Sequence, residues 1–99
     1  MSYKKDDVVS VITNAGEYVG KFKSEGDSTF TITKPRMLIS GEGGVGFARG
    51  ICVTGEEDAA EITFQKTGVV FTTPTSAVVE KAYVESTTSI VLDGGGIQV

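Results

Sequence analysis

Val8 to Leu38, VVSVITNAGEYVGKFKSEGDSTFTITKPRML, reads as three consecutive short strands joined by turn-forming residues. In the first run Val9, Val11 and Thr13 share one face and Val8, Ser10 and Ile12 the other, so both faces carry β-branched apolar side chains. That pattern predicts a strand partly covered on each side. Asn14, Ala15 and Gly16 follow as a tight turn, because Asn and Gly adopt positive φ at least cost. Beyond the turn, Tyr18, Gly20 and Phe22 alternate with Glu17, Val19, Lys21 and Lys23, giving an inner face and a mostly polar outer one. A second turn at Glu25, Gly26, Asp27 and Ser28 leads into Thr29–Thr33, where Phe30 and Ile32 point to the core and Thr31 and Thr33 away. Gly20, in mid-strand, marks a place where the strand bends sharply. The stretch as a whole predicts a bent antiparallel sheet.

Outward from this stretch the pattern continues. Gly41-Glu42-Gly43-Gly44-Val45-Gly46 is glycine-dense, but a phosphate cradle runs from a strand into a helix N-terminus. Here Phe47–Thr54 reads as another strand, so the glycines are expected at a hairpin tip. Gly55-Glu56-Glu57-Asp58 is an acidic turn, and Glu61–Gln65 alternates again, which predicts a hairpin between 47–54 and 61–65. The three adjacent acids would repel a nucleic-acid backbone. Thr67-Gly68 leads into Val69-Val70-Phe71, and Pro74 interrupts pairing. In Ser76–Val84 the positions of Val78, Val79, Ala82 and Tyr83 fit a helix, while strict alternation fits less cleanly; local pattern leaves both open. Ile90-Val91-Leu92 is a small apolar patch, and residues 93–99 read as a flexible glycine-rich tail after a single domain over 1–92.

Composition narrows the function classes. The chain has 99 residues, enough for one core, yet small enough that oligomerisation would help it bury apolar surface. Abundant Val, Thr and Ile favour all-β. No run has the roughly 18 apolar residues of a membrane span, and Met1–Asp7 is followed by no signal-peptide core, so a soluble intracellular protein without membrane association is expected. The sequence contains no His, which removes Cys-His and Ser-His catalysis and the commonest metal ligand. The lone Cys52, between Ile51 and Val53, reads as a small core residue. With no paired-carboxylate spacing, nucleophile motif or metal constellation, the chain is expected to be no enzyme and to carry neither cofactor nor metal.

The arrangement Val-x-Val, an Asn-Ala-Gly turn, Tyr-x-Gly-x-Phe, an acidic loop and a third apolar strand resembles the first motif of the Sm and Sm-like proteins, which include bacterial Hfq. Lys34-Pro35-Arg36-Met37-Leu38 and Thr72-Thr73-Pro74 resemble the Sm-like proteins of T4-like cyanophages in particular. The resemblance implies a small, strongly bent antiparallel barrel of about five strands, with a short closing strand in 76–84. It implies assembly, edge strand to edge strand, into a homo-oligomeric ring of five to seven subunits in the cytoplasm, that of the host if the protein is viral. It also implies single-stranded RNA held by two loops, one carrying an acid, an aromatic and an Asn, the other an Arg-Gly pair.

Carried over residue by residue, the first loop maps to Asp27, Phe30 and Thr31. Thr31 stands where the family prefers Asn, and Asp27 sits one residue late counted from Gly20. Arg49-Gly50 matches the second motif in letters, although position in the chain points nearer to Thr72–Ser76, which lacks Arg. Lys34 and Arg36, with Lys4, Lys5, Lys21 and Lys23, suggest a basic face in a chain whose net charge is −4. That charge and the altered loop residues keep a second reading in view, a structural or protein-adaptor ring without RNA affinity.

Overall fold

The computed structural model describes residues 3–41, 44–48, 55 and 59–88. It is mostly antiparallel sheet: β1 (Val8–Thr13), β2 (Gly16–Glu25), β3 (Thr29–Gly41), β4 (Gly44–Ala48), β5 (Glu61–Gln65) and β6 (Val69–Pro74), followed by the helix α1 (Ala77–Thr88). The strands run in the order β4-β3-β2-β1-β6, and β5 also pairs with β3. The first two strands and both turns lie where the sequence puts them, and the third starts at Thr29 as expected but runs on past Thr33 to Gly41. Thr13 pairs with Gly16 across a two-residue connection, and the Thr13 hydroxyl accepts from the Ala15 and Gly16 amides while donating to the Gly16 carbonyl. Gly16 takes a φ of +152°, which a side chain would strain.

β3 is shared between two partners. Thr29–Thr33 pair with β5 and Met37–Gly41 with β4. Hence β5 lies on β3, and the hairpin that the sequence suggests between 47–54 and 61–65 is not the pairing observed among the described residues; 49–54 lie outside them. Gly41 pairs with Gly44, Ser40 with Val45 and Ile39 with Gly46, so most of the segment expected as a hairpin tip lies in paired strand, and β4 begins at Gly44 and not at Phe47; 42 and 43 lie outside the described residues. The change of partner coincides with a bend. Val19 faces Arg36 and Lys21 faces Thr33, so Lys34 and Pro35 together oppose Gly20. Two residues against one is a bulge, and it increases the local twist. Lys34 has a φ of +48°, unusual for a residue other than glycine, and Pro35 is fully buried with no N–H to leave unpaired.

Val9, Val11, Tyr18, Phe22, Phe30 and Ile32 form the main core, joined by Tyr3, Met37, Ile62, Phe64 and Val69. Contributions from β5 and β6 to one cluster mean that the sheet curls until its two edges approach. A single 3₁₀ turn, Lys66–Gly68, connects those edges. No ladder joins β5 to β6 among the described residues, so the sheet is strongly curled but open.

The segment after Pro74 departs from the closing strand that the family resemblance implies: 77–88 is an α-helix. Its start is local chemistry. The Ser76 hydroxyl accepts from the Val79 amide, and the Ser76 carbonyl takes the first helical bond from Glu80. Its place is tertiary. Val79 and Tyr83, four residues apart, lie on the outer sheet face over Val8, Val19, Leu38 and Phe47, while Val78 remains 81% exposed. The predicted mostly polar outer side of β2 is therefore covered at Val19. Beside the helix start, the buried hydroxyls of Ser10 and Thr75 share a 2.8 Å hydrogen bond. Thr75→Val leaves Ser10 unsatisfied and is expected to lower stability by about 1–3 kcal/mol in chemical denaturation.

Candidate functional site

Two turns meet at one end of the curled sheet. The β2–β3 turn is closed by the Gly26 amide donating to the Thr29 carbonyl at 2.9 Å. Thr29 is in turn paired with Gln65, the last residue of β5, so the chain leaving β5 enters its 3₁₀ turn directly beside Ser28. The Lys66 amide donates to the Ser28 carbonyl at 2.8 Å and locks the two turns together. The Lys66 ammonium then meets the Glu25 carboxylate at 2.8 Å, each side chain more than a third exposed. Between them and β6 lies a shallow depression of about 190 Å³, lined by Glu25, Phe30, Lys66, Val69, Phe71 and Thr72. That is smaller than the roughly 300–1,000 Å³ of sites that engulf drug-sized ligands, so it suits one ring or one phosphate.

Of the residues singled out from the sequence, Asp27 is exposed in the β2–β3 turn, at this end. Phe30 is 3% exposed and packs its ring against Phe22 and Tyr3, so it is a core side chain within this chain. Thr31 is buried, and its hydroxyl shares a 2.9 Å hydrogen bond with that of Thr63 on β5. The reason is the alternation of β3: the residue after an inward aromatic faces the neighbouring strand on the opposite side. Lys34 is exposed at the bend, its amide donating to the Ala60 carbonyl. Arg36 is half-buried and opposite Val19, with Nη1 donating to the Pro35 carbonyl. Lys34 and Arg36 lie five and seven residues beyond Thr29, roughly 16–23 Å of extended chain. They therefore belong to the bend under α1 and not to the two-turn end. Arg49 and Gly50 lie outside the described residues.

The basic group beside the acidic turn is Lys66. Position along the chain points to 72–76 for the second loop, yet Thr72–Pro74 lie within β6. The available signal was the Lys-Thr-Gly triplet between two alternating runs, Glu61–Gln65 and Val69–Phe71, which marks a turn. Glu25, its partner, was legible only as the first residue of the β2–β3 turn, with nothing local to tie it to Lys66.

Elsewhere the surface is less suited to an anion. A wider depression of about 420 Å³ is lined by Tyr3, Asp6, Asp7, Val8, Val9, Pro74, Thr75 and Glu80. Its three carboxylates would repel a phosphate. Among the described residues, no group of three or more His, Cys, Asp or Glu side chains is arranged to hold a metal ion, and no helix is long and apolar enough to cross a membrane. A scan against protein-family models gives no match to the chain, and no curated protein matches it.

Proposed function

We propose that this chain is an Sm-like subunit that assembles through its strand edges into a homo-oligomeric ring in the cytoplasm, and that the ring binds single-stranded RNA at the two-turn end. The observation that carries this reading is the Lys66 amide on the Ser28 carbonyl, which brings an acidic turn and a basic turn together as the two-loop site requires. The strand order β5-β3-β2-β1-β6, with a three-residue turn linking the outer two, supports a small barrel. Edge-to-edge assembly is supported by β6, which among the described residues pairs with β1 alone and displays Val70 and Phe71 at 57% and 54% exposure. An open strand edge with apolar side chains is a template for another strand.

Native mass spectrometry tests both parts, on the protein alone and with short U-rich and A-rich RNA oligonucleotides. A closed ring carrying RNA is expected; a monomer under both conditions would remove the proposal. A Val70→Asp, Phe71→Asp double variant is expected to release monomers, as both charges would be buried at the subunit contact. Lys66→Ala is expected to weaken RNA binding severalfold with little dependence on sequence, as befits a phosphate contact. Lys34→Ala and Arg36→Ala give the matching test of the bend.

The adaptor reading has its own support. Lys23 and Lys66 are both held by carboxylates of the same chain, Glu61 at 2.6 Å and Glu25 at 2.8 Å, in a protein of net charge −4. A ring that forms but stays bare with RNA would select it.

A further inference from the structure

We infer that Glu25 is an internal competitor for Lys66, occupying the ammonium that a phosphate would take and so setting the threshold for anion binding at the two-turn end. The inference rests on the RNA-binding reading above. The pair is positioned by backbone on both sides: Glu25 makes the last pairing of β2 with β3, opposite Phe30, and the Lys66 amide is fixed on Ser28. The side chains meet at 2.8 Å while each stays more than a third exposed. Exposed ion pairs contribute little to stability, so the fold gains little from this contact.

What the pair does change is the electrostatics of the depression beneath it. Without Glu25 the rim carries a cation above the apolar lining of Phe30, Val69 and Phe71; with Glu25 the rim is neutral overall. A ligand phosphate must displace the carboxylate or bind next to it. The ligand class favoured is therefore a polyanionic single strand that contacts several sites at once, because one phosphate at one neutralised lysine gains too little.

The test is fluorescence anisotropy with labelled U-rich and A-rich RNA oligonucleotides, across a salt series, on the full chain. It compares wild type, Glu25→Gln, Lys66→Gln, the double variant and Glu17→Gln, an exposed acid on the same strand that controls for net charge. Glu25→Gln is expected to tighten binding about threefold to tenfold at low salt. It is also expected to steepen the slope of log affinity against log salt by about 0.7 for each lysine released. In the Lys66→Gln background the gain should vanish, which is the coupling a double-mutant cycle isolates. Thermal unfolding of Glu25→Gln should match wild type, and Glu17→Gln should bind as wild type does.

Binding by wild type with no gain in Glu25→Gln would overturn the inference and leave the RNA reading standing. A gain equal in Glu17→Gln, or undiminished without Lys66, would reduce it to net charge and overturn it too. RNA binding by none of the proteins would overturn both. Binding by Glu25→Gln alone would support Glu25 as the competitor and overturn the RNA reading for the wild-type ring.

Discussion

Tyr83→Ala is expected to cost about 3–5 kcal/mol of stability, the range for truncating a fully buried aromatic residue. Tyr83 is 0% exposed and is the main bolt between α1 and the sheet. Its ring lies edge-on to Phe47 at 6.1 Å and its hydroxyl donates to the Lys34 carbonyl at 2.7 Å, on the bend of β3. Of the helix's other apolar side chains, Val79 packs against the same cluster, whereas Val78 is open to solvent. The variant should show a lower denaturation midpoint and loss of amide protection along α1 in hydrogen exchange. If α1 stays protected, the helix is held by something other than this side chain. Tyr83→Phe keeps the ring and removes the hydroxyl, and a smaller cost of about 1–2 kcal/mol is expected.

The same hydroxyl makes stability depend on pH in a defined window. Burial pushes it up from the ordinary 10.0 to about 12, opposed by the nearby positive charge of Arg36. The folded pKa is raised, so the contribution is fully present below about pH 10 and is lost as pH rises through about 12. Within that window the folded state holds the proton more tightly than the unfolded one, and stability falls by at most about 1.4 kcal/mol per pH unit. Tyr83→Phe should remove this component; unchanged alkaline sensitivity in that variant would assign it to other groups.

Gly20→Ala is expected to be nearly as damaging as losing Tyr83, although it adds one methyl group. A Cβ at this position would lie 2.7 Å from Ile32 Cδ1 and 2.9 Å from the Thr33 carbonyl oxygen. The Ile32 side chain is fully buried and has no room to retreat, and the carbonyl belongs to the strand leading into the Lys34-Pro35 bulge. Relief requires β2 and β3 to separate just where the sheet bends, so the cost should lie at or above the upper end of the 1–3 kcal/mol typical of overpacking. Chemical denaturation of the purified variant reads it. A near-neutral result would mean that the bend is softer than the close packing of Gly20 against β3 implies.

The two variants also mark where sequence reading ends. Gly20 stood out because it interrupts an alternating strand, and the bend it signals is there. Its partner in that bend, the left-handed Lys34 ahead of Pro35, carried no signal, because a lysine before proline is ordinarily extended. Tyr83 was visible as part of an apolar spacing, but Val78, Val79, Ala82 and Tyr83 offer a partner face to helix and strand alike. The helix forms with Ser76 as its cap, and the opening over Val8, Val19, Leu38 and Phe47 receives Tyr83.

The candidate site divides along the same line. Asp27 could be placed in an exposed turn from residue types alone. Phe30 and Thr31 could be named but not assigned, since an aromatic next to a turn serves equally as a stacking surface or as core; pairing with Phe64 and the neighbouring Tyr3 and Phe22 rings make it core. Lys66 and Glu25 are 41 positions apart, and nothing local links them.

By itself, then, the sequence determined the first two strands, the start of the third, their two turns, and the inward side of β2 and β3 at Tyr18, Phe22 and Ile32, while either face of β1 could have turned inward. Period-two alternation and turn chemistry are local properties, fixed by neighbours within a few residues. Only the tertiary structure decided that β3 divides between β4 and β5, that 77–88 is helical, and that Lys66 and not a residue of 72–76 stands beside the acidic turn. Each of these depends on which distant surface is available to pair with or to cover, and a sheet curled tightly enough for three residues to join its two edges creates those surfaces.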